Sequence, residues 1–503
     1  MMVSIKNWMV AFGAFGLMGC SAHLPTRFAD APPAQRVADD APIPIPAHLE
    51  PLEPVRWSDV YLRRPLVLAL SPVRSPRAGD VNAWDEVPHS SWFQPLDEAA
   101  LEEAWLGSGP PVPPLRLIRG RPRASHQGLR AIDARGVGYE LEVDPRGVPN
   151  SVTAAGPIAA RLVRALGYLT PPAHRVALSR DDFEPDARLE RLFAPGVDRR
   201  IALATEWPSG VDVGLTPPRG MRPDDPNDQI AHEHRRTLRA LVAIASWLDI
   251  PSMGAQSTRD VYVGAAPSGH LRHFVVHLSE GLGAGRLTHG APLETAAGLI
   301  TTSPWRSLVT LGLSGRDRPP QSGDLTLLSA SPQVRGFVTS TPYEPFDELL
   351  PADVYWALKR IAALSPRTLT AAMAAGGGDE VEQRRLAAAL RDRAEQLLAV
   401  SLTLISPIEY EALLGDQLII HDFAAYRFGQ PPVPIEVRLY DGSGRELSRG
   451  TLSAAPRSAL TIPRPIGVGY LVVELRSKRQ PPPRPTELHI QLTPSPRLVG
   501  ILR

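Results

Sequence analysis

The chain has 503 residues, 43% of them apolar, and a formal net charge of +1. That is enough for two or three cores, and the near-neutral balance excludes the basic footprint of a nucleic-acid binder. A single cysteine, Cys20, excludes an intrachain disulfide and a thiolate zinc cluster.

In chain order, Lys6 precedes a short apolar run from Trp8 to Met18. The run falls short of the about 20 residues that a spanning helix needs and fits the apolar stretch of a cleaved signal. It ends in Leu17-Met18-Gly19-Cys20, the pattern of a bacterial lipobox. Residues 1–19 are expected to be a lipoprotein signal peptide, with Cys20 lipidated through its thiol. Ser21 follows, and without an aspartate there the chain is expected at the outer membrane. The expected partners are the membrane, through the lipid, and an unknown envelope protein; nucleic acid is not expected. Residues 20–56 hold Ala41 to Pro46 and Pro51 to Pro54, which favour extended polyproline conformation, so this stretch reads as a disordered tether.

Order is expected from Trp57. Residues 57–228 read as an α+β region. Its strands are Leu115 to Ile118, Gly128 to Asp133, Gly138 to Val143, Val176 to Leu178 and Ile201 to Thr205. Its helix runs from Ala154 to Leu166 and closes at Gly167. Residues 207–229, rich in Pro, Gly and Asp, read as a loop. Residues 229–415 turn mainly helical: Gln229 to Leu248, Ala352 to Leu364, and Asp379 to Val400 with a capping box of Asp379 and Glu382. A hairpin is expected over Asp260 to Val263 and His270 to Leu278, and a loop over 315–333. The stretch from Leu402 to Leu414 is too apolar for a free linker. From 416 to 503, strands Gln417 to Tyr426, Val433 to Tyr440, Gly469 to Arg476, Thr486 to Leu492 and Arg497 to Leu502 predict a β-sandwich-like domain.

Several chemistries are excluded. No Gly-x-Ser-x-Gly elbow, Ser-x-x-Lys pair, His-Glu-x-x-His motif or phosphate-binding GxxxxGK loop occurs. The only lysines are Lys6, Lys359 and Lys478. His232 and His234, two apart, would point to different faces of a helix, and His273 and His277 would lie about 14 Å apart along a strand. No metal site and no cofactor is expected. Asp85 and Glu86 beside Trp84, and Asp260, leave open a glycan-active alternative.

The order of motifs resembles a family of uncharacterised bacterial secreted proteins with a HipA-type, phosphoinositide-kinase-like fold. It is carried by Arg64-Pro-Leu66, Asp80-Val-Asn-Ala-Trp-Asp-Glu-Val-Pro88 with Ser90-Ser-Trp-Phe93, Gly138-Tyr-Glu-Leu-Glu-Val-Asp-Pro145, Ala160 to Tyr168, His234 to Arg239, Ser246-Trp-Leu248, Asp353-Val-Tyr-Trp356 and Arg497 to Arg503. The resemblance implies a two-lobed kinase-like α+β body with a C-terminal antiparallel β-domain. It also implies where catalytic residues would stand. The phosphate-holding lysine is replaced by Glu142, and its helix glutamate by Pro157. Ser252 and Ser257 occupy the catalytic-loop positions, and His277 the metal aspartate. Phosphoryl transfer works by positioning and by cations on the phosphates. Arg121 or Arg161 could replace the lysine, but nothing replaces the metal ligand. The resemblance therefore implies a pseudokinase-like binding or scaffolding protein, with a diverged nucleotide-dependent transferase as the alternative.

Overall fold

The computed structural model describes residues 28–50, 76–119, 128–193, 195–285, 339 and 343–503. The expected signal peptide, Cys20, the expected onset of order at Trp57 and the expected loop at 315–333 lie outside the described residues. The molecule is mixed α+β and carries several antiparallel sheets.

Helix α1 (Glu98–Leu106) leads into a sheet of β1 (Arg116–Ile118), β2 (Leu129–Ile132) and β3 (Gly138–Val143). Helix α2 (Val152–Ala165) follows, then β4 (Ala173–Ser179) and β5 (Arg199–Glu206), in the spatial order β1-β2-β3-β5-β4. The turn joining β2 to β3 is held by Asp133, whose carboxylate accepts from the backbone N–H groups of Val112, Arg135 and Val137. Asp144 caps the entry to α2, accepting from the Thr153 and Asn150 backbone N–H groups. Gly156 lets α2 lie close on the sheet, since a Cβ there would stand 2.6 Å from Leu203 Cδ2. The chain leaves the helix as expected at Gly167, whose φ of 110° suits glycine.

The stretch 207–229, expected as a loop, contains a strand, β6 (Val211–Leu215). It pairs with β7 (Thr258–Val263), which pairs with β8 (His270–Val275), so the expected hairpin gains a third strand. Alternation in Val-Asp-Val is too short to reveal this strand without its partner. The expected helix from Gln229 breaks into a 3₁₀ turn at His232–His234, a single turn at Arg236–Arg239, and α3 (Leu241–Leu248). Helices α4 (Pro351–Ala362), α5 (Pro366–Ala374) and α6 (Glu380–Leu402) complete a helical layer. The capping box of Asp379 and Glu382 is present at α6. Trp247 and Trp356, both buried, lie in the core these helices share with α2.

The C-terminal domain is built from β9 (Ile408–Leu414), β10 (Gln417–Asp422), β11 (Ile435–Asp441), β12 (Glu446–Leu452), β13 (Arg457–Thr461), β14 (Tyr470–Ser477), β15 (Thr486–Gln491) and β16 (Arg497–Leu502). They form two sheets, ordered β13-β10-β9 and β12-β11-β14-β15-β16. Ile408, Leu418 and Ile420 of the first sheet share a core with Val437, Val473, Leu475, Leu488 and Ile501 of the second. The β-domain thus begins at Ile408, ahead of the expected boundary at 416. Three strands, β9, β12 and β13, go beyond the sequence expectation; β12 and β13 are mostly exposed and carry no apolar alternation. The segment expected to extend β10 to Tyr426 instead turns into a short helix, α7 (Phe423–Phe428), capped by Asp422.

The expectation of a disordered tether is corrected for residues 28–50, which lie along the body as a strap. Phe28 packs edge-on against His489 at 4.9 Å, over Gly500, where a Cβ would stand 2.1 Å from its ring. Asp39 accepts from the Ser91 N–H and hydroxyl. Ile43 is buried and pairs with Gly269, while Leu49 pairs with Gly214. Proline-rich composition disfavours helix, but it does not prevent an extended chain from docking through alternate side chains.

A buried seam of charge joins the layers. Arg236 donates to Asp85 and Asp353, each at 2.9 Å. Asp80 accepts from the Arg236 and Thr237 backbone N–H groups. Arg503, which follows β16, donates to Glu409 at 2.6 Å and Asp85 at 3.4 Å. Lys359 contacts Glu409 and Glu86.

Candidate functional site

A concavity of about 280 Å³ lies between the β1–β5 sheet and the β6–β7–β8 sheet. Its upper wall follows from strand alternation. Glu140 and Glu142 are two apart on β3 and so share a face; Glu140 stands opposite Arg130 of β2 and Thr205 of β5, and Glu142 opposite Leu203. All five line the cleft. The lower wall is Arg259 and Val261 of β7 with Val275 to Ser279 at and beyond the end of β8, and Gly156 and Ala160 of α2 close the back.

Glu142 and His277 therefore face one cleft from opposite walls. Ser279, two residues beyond His277, ties the walls together: its hydroxyl donates to Glu142 at 3.3 Å. His277 has a φ of 60°, a left-handed conformation uncommon outside glycine and found at sites where surrounding structure holds the chain. Arg130 lies over the Trp207 ring at 4.0 Å. Arg259 contacts Asp212 and the strap residue Glu50, both at 3.2 Å. Glu206 accepts from the Ser108 N–H and hydroxyl at 2.8 Å.

The other expected positions are less central. Pro157 is buried within α2, between the lining residues Gly156 and Ala160, and does not itself line the cleft. Ser257 is buried; its hydroxyl donates to the Ser252 carbonyl at 3.3 Å and accepts from the Gly254 N–H. Both serines hold a turn and neither lines the cleft. Arg161, a possible stand-in for the lysine, donates to the Ala371 carbonyl and lies on Trp105, away from the cleft. Arg121 lies outside the described residues.

The carboxylates of the glycan-active alternative are committed elsewhere. Asp260 is fully buried, bonded to His273 at 2.8 Å, Arg222 at 2.9 Å and Thr216 at 2.5 Å. Burial works to raise its pKa, but His273, Thr216 and Arg222 outweigh it, and the carboxyl is held below its usual value. Asp85 is buried in the charge seam. Glu86 alone of the three reaches an open groove, with Trp84, Glu409 and Tyr410, and there it holds Lys359. His232 is bonded to Asp228 and the Pro217 carbonyl, and His273 stacks on Trp92 with ring centres 3.6 Å apart. Among the described residues no three His, Cys, Asp or Glu side chains are grouped to hold a metal ion, and no helix is long and apolar enough to cross a membrane.

Sequence reasoning missed Arg130, Trp207, Asp212 and Arg259. The signal that could have found the first is register: Arg130 stands opposite Glu140 once β2 and β3 pair. The rest depend on how the two sheets face each other. Comparison with protein-family models gives no match, and comparison with curated proteins gives none.

Proposed function

We propose that this chain is a lipid-anchored protein of the bacterial cell envelope, held at the outer membrane through Cys20, whose body is a kinase-like fold that binds or scaffolds and does not transfer phosphate. The observation that most supports this reading is the pair Glu142 and His277 on opposite walls of one cleft. In kinases a lysine on the third strand holds the phosphates and pairs with a glutamate on the following helix, and a later aspartate holds magnesium. Glu142 stands on the third strand of its sheet, Pro157 in the helix that follows, and His277 two residues after β8. A carboxylate at the first position repels phosphate. A histidine at the last is a poor ligand for magnesium, which prefers oxygen. Lys359 is engaged by Glu86 and Glu409 outside the cleft.

The test is calorimetry and thermal shift of the purified body with ATP and millimolar Mg²⁺ or Mn²⁺. No binding heat and no shift are expected. A metal-dependent shift that vanishes in His277→Ala would refute the reading and restore a nucleotide-dependent transferase.

A further inference from the structure

The strap reaches the C-terminal domain at one particular end. Tyr470 of β14 pairs with Gln491 of β15, Gln491 with Arg497 of β16, and Leu471 with Asp441 of β11. These registers gather the start of β14, the end of β15, the start of β16 and the end of β11 at one tip of the sheet. The first described residues of the strap are fixed there: Phe28 N–H donates to the Tyr470 hydroxyl, and Asp30 pairs with Arg497. Gly500 is the small residue that makes room for the Phe28 ring.

The same tip carries a fully exposed isoleucine. Ile466 lies in Pro463-Arg464-Pro465-Ile466-Gly467, just before β14, with Arg464 also exposed. Arg464 holds no ion pair among the described residues, while Arg445 at the adjoining turn is exposed and paired with Asp441. An apolar side chain presented on a short loop beside an exposed guanidinium suits the boundary between headgroups and acyl chains, where arginine meets phosphate and the aliphatic group enters the tails.

We propose that this tip of the β-domain, led by Ile466 and Arg464, rests on the surface of the phospholipid leaflet that carries the lipid at Cys20. The proposal rests on the lipoprotein reading above. Phe28 lies eight positions after Cys20, and eight residues fully extended span at most about 29 Å. The strap then fixes Phe28 on the sheet, so the body cannot hang far from the bilayer and the sheet tip is the part of the described molecule tied nearest to it. The strap continues to Glu50 at Arg259, so the cleft is set at a fixed remove from the membrane by the same segment.

The full lipidated chain is reconstituted in vesicles of phosphatidylethanolamine and phosphatidylglycerol. Acylation blocks the only native thiol, so Ile466→Cys, Thr493→Cys at the neighbouring turn, and Arg385→Cys on the exposed side of α6 each offer one site for an environment-sensitive dye. The dye at 466 is expected to shift to the blue and to be quenched by lipids brominated near the headgroup, that at 493 less so, and that at 385 not at all. Equal signals at 466 and 385 would overturn the docking proposal. A fatty-acid label on Cys20 is read in the same preparation: label present without the dye shift sinks docking alone, whereas label absent sinks the lipoprotein reading and docking with it.

Discussion

Replacing Arg503 with methionine should loosen the β-domain from the helical layer. The Arg503 side chain is 1% exposed and sits between Glu409, 15% exposed, and Asp85, 3% exposed. Methionine keeps much of the apolar stem and removes the charge. Breaking a buried ion pair from one side costs about 3–5 kcal/mol, because the partner charge stays buried. Here Asp85 retains Arg236 and Glu409 retains Lys359, so the low end, about 3 kcal/mol, applies. At about 1.4 kcal/mol per tenfold, that is about a hundredfold rise in the population opened at this interface. Hydrogen exchange of β16 and β9 in native conditions measures it directly, with Arg503→Lys as the variant that keeps the charge and loses less. Acid should matter too. Burial works to raise both carboxyls, but Arg236 and Arg503 hold Asp85 below its usual value, and Arg503 and Lys359 do the same for Glu409. Groups depressed in the folded state contribute stability above about pH 4, the unfolded carboxyl range, and that contribution is lost as pH falls through the lower folded values. Arg503→Met should flatten this acid dependence. A loss below about 1 kcal/mol, the range of a surface pair, with an unchanged acid profile would refute the reasoning.

Other expectations follow from named contacts. Gly214→Ala should free the strap, because φ is 101° and a Cβ would stand 1.9 Å from the Leu49 carbonyl oxygen; limited proteolysis is expected to cut within 28–50 in the variant and to spare that stretch in the parent. Asp260→Asn should destabilise by about 3 kcal/mol, since among the described residues it leaves the buried Arg222 with Asp224 as its one ionic partner beside the Ala47 and Val213 carbonyls, and urea unfolding followed by Trp fluorescence reads the shift in midpoint. His174, whose pKa burial and then Arg161 push down to about 4, should stay neutral through pH 5; its folded value lies below the ordinary 6.5, so the stability it contributes is lost as pH falls from there through 4, and carbon-detected histidine NMR checks the titration. Cys20→Ala should abolish incorporation of a clickable fatty acid in cells, and equal labelling would contradict lipidation.

Much of this architecture is legible in local pattern. Apolar periodicity and glycine mark α2, and the capping box marks α6, because those signals act over three or four residues. Alternation marks β11, which buries one face, while β14 and β16 read as apolar runs, and β14, β15 and β16 are buried at consecutive positions on both faces. The single cysteine, the apolar run before it and the scarcity of lysine are properties of composition and hold whatever the fold. The strap is not legible: proline-rich sequence fixes an extended backbone but does not say whether that backbone meets a surface, and Gly214, Gly269 and Gly500, which receive it, lie far along the chain. The short strand β6 and the exposed strands β12 and β13 owe their existence to a paired neighbour rather than to their own side chains. Glu142 and His277 can be singled out in the sequence, but only tertiary packing brings them to one cleft. Their separation along the chain is spanned by two sheets whose facing walls depend on long-range pairing, and no local preference encodes that.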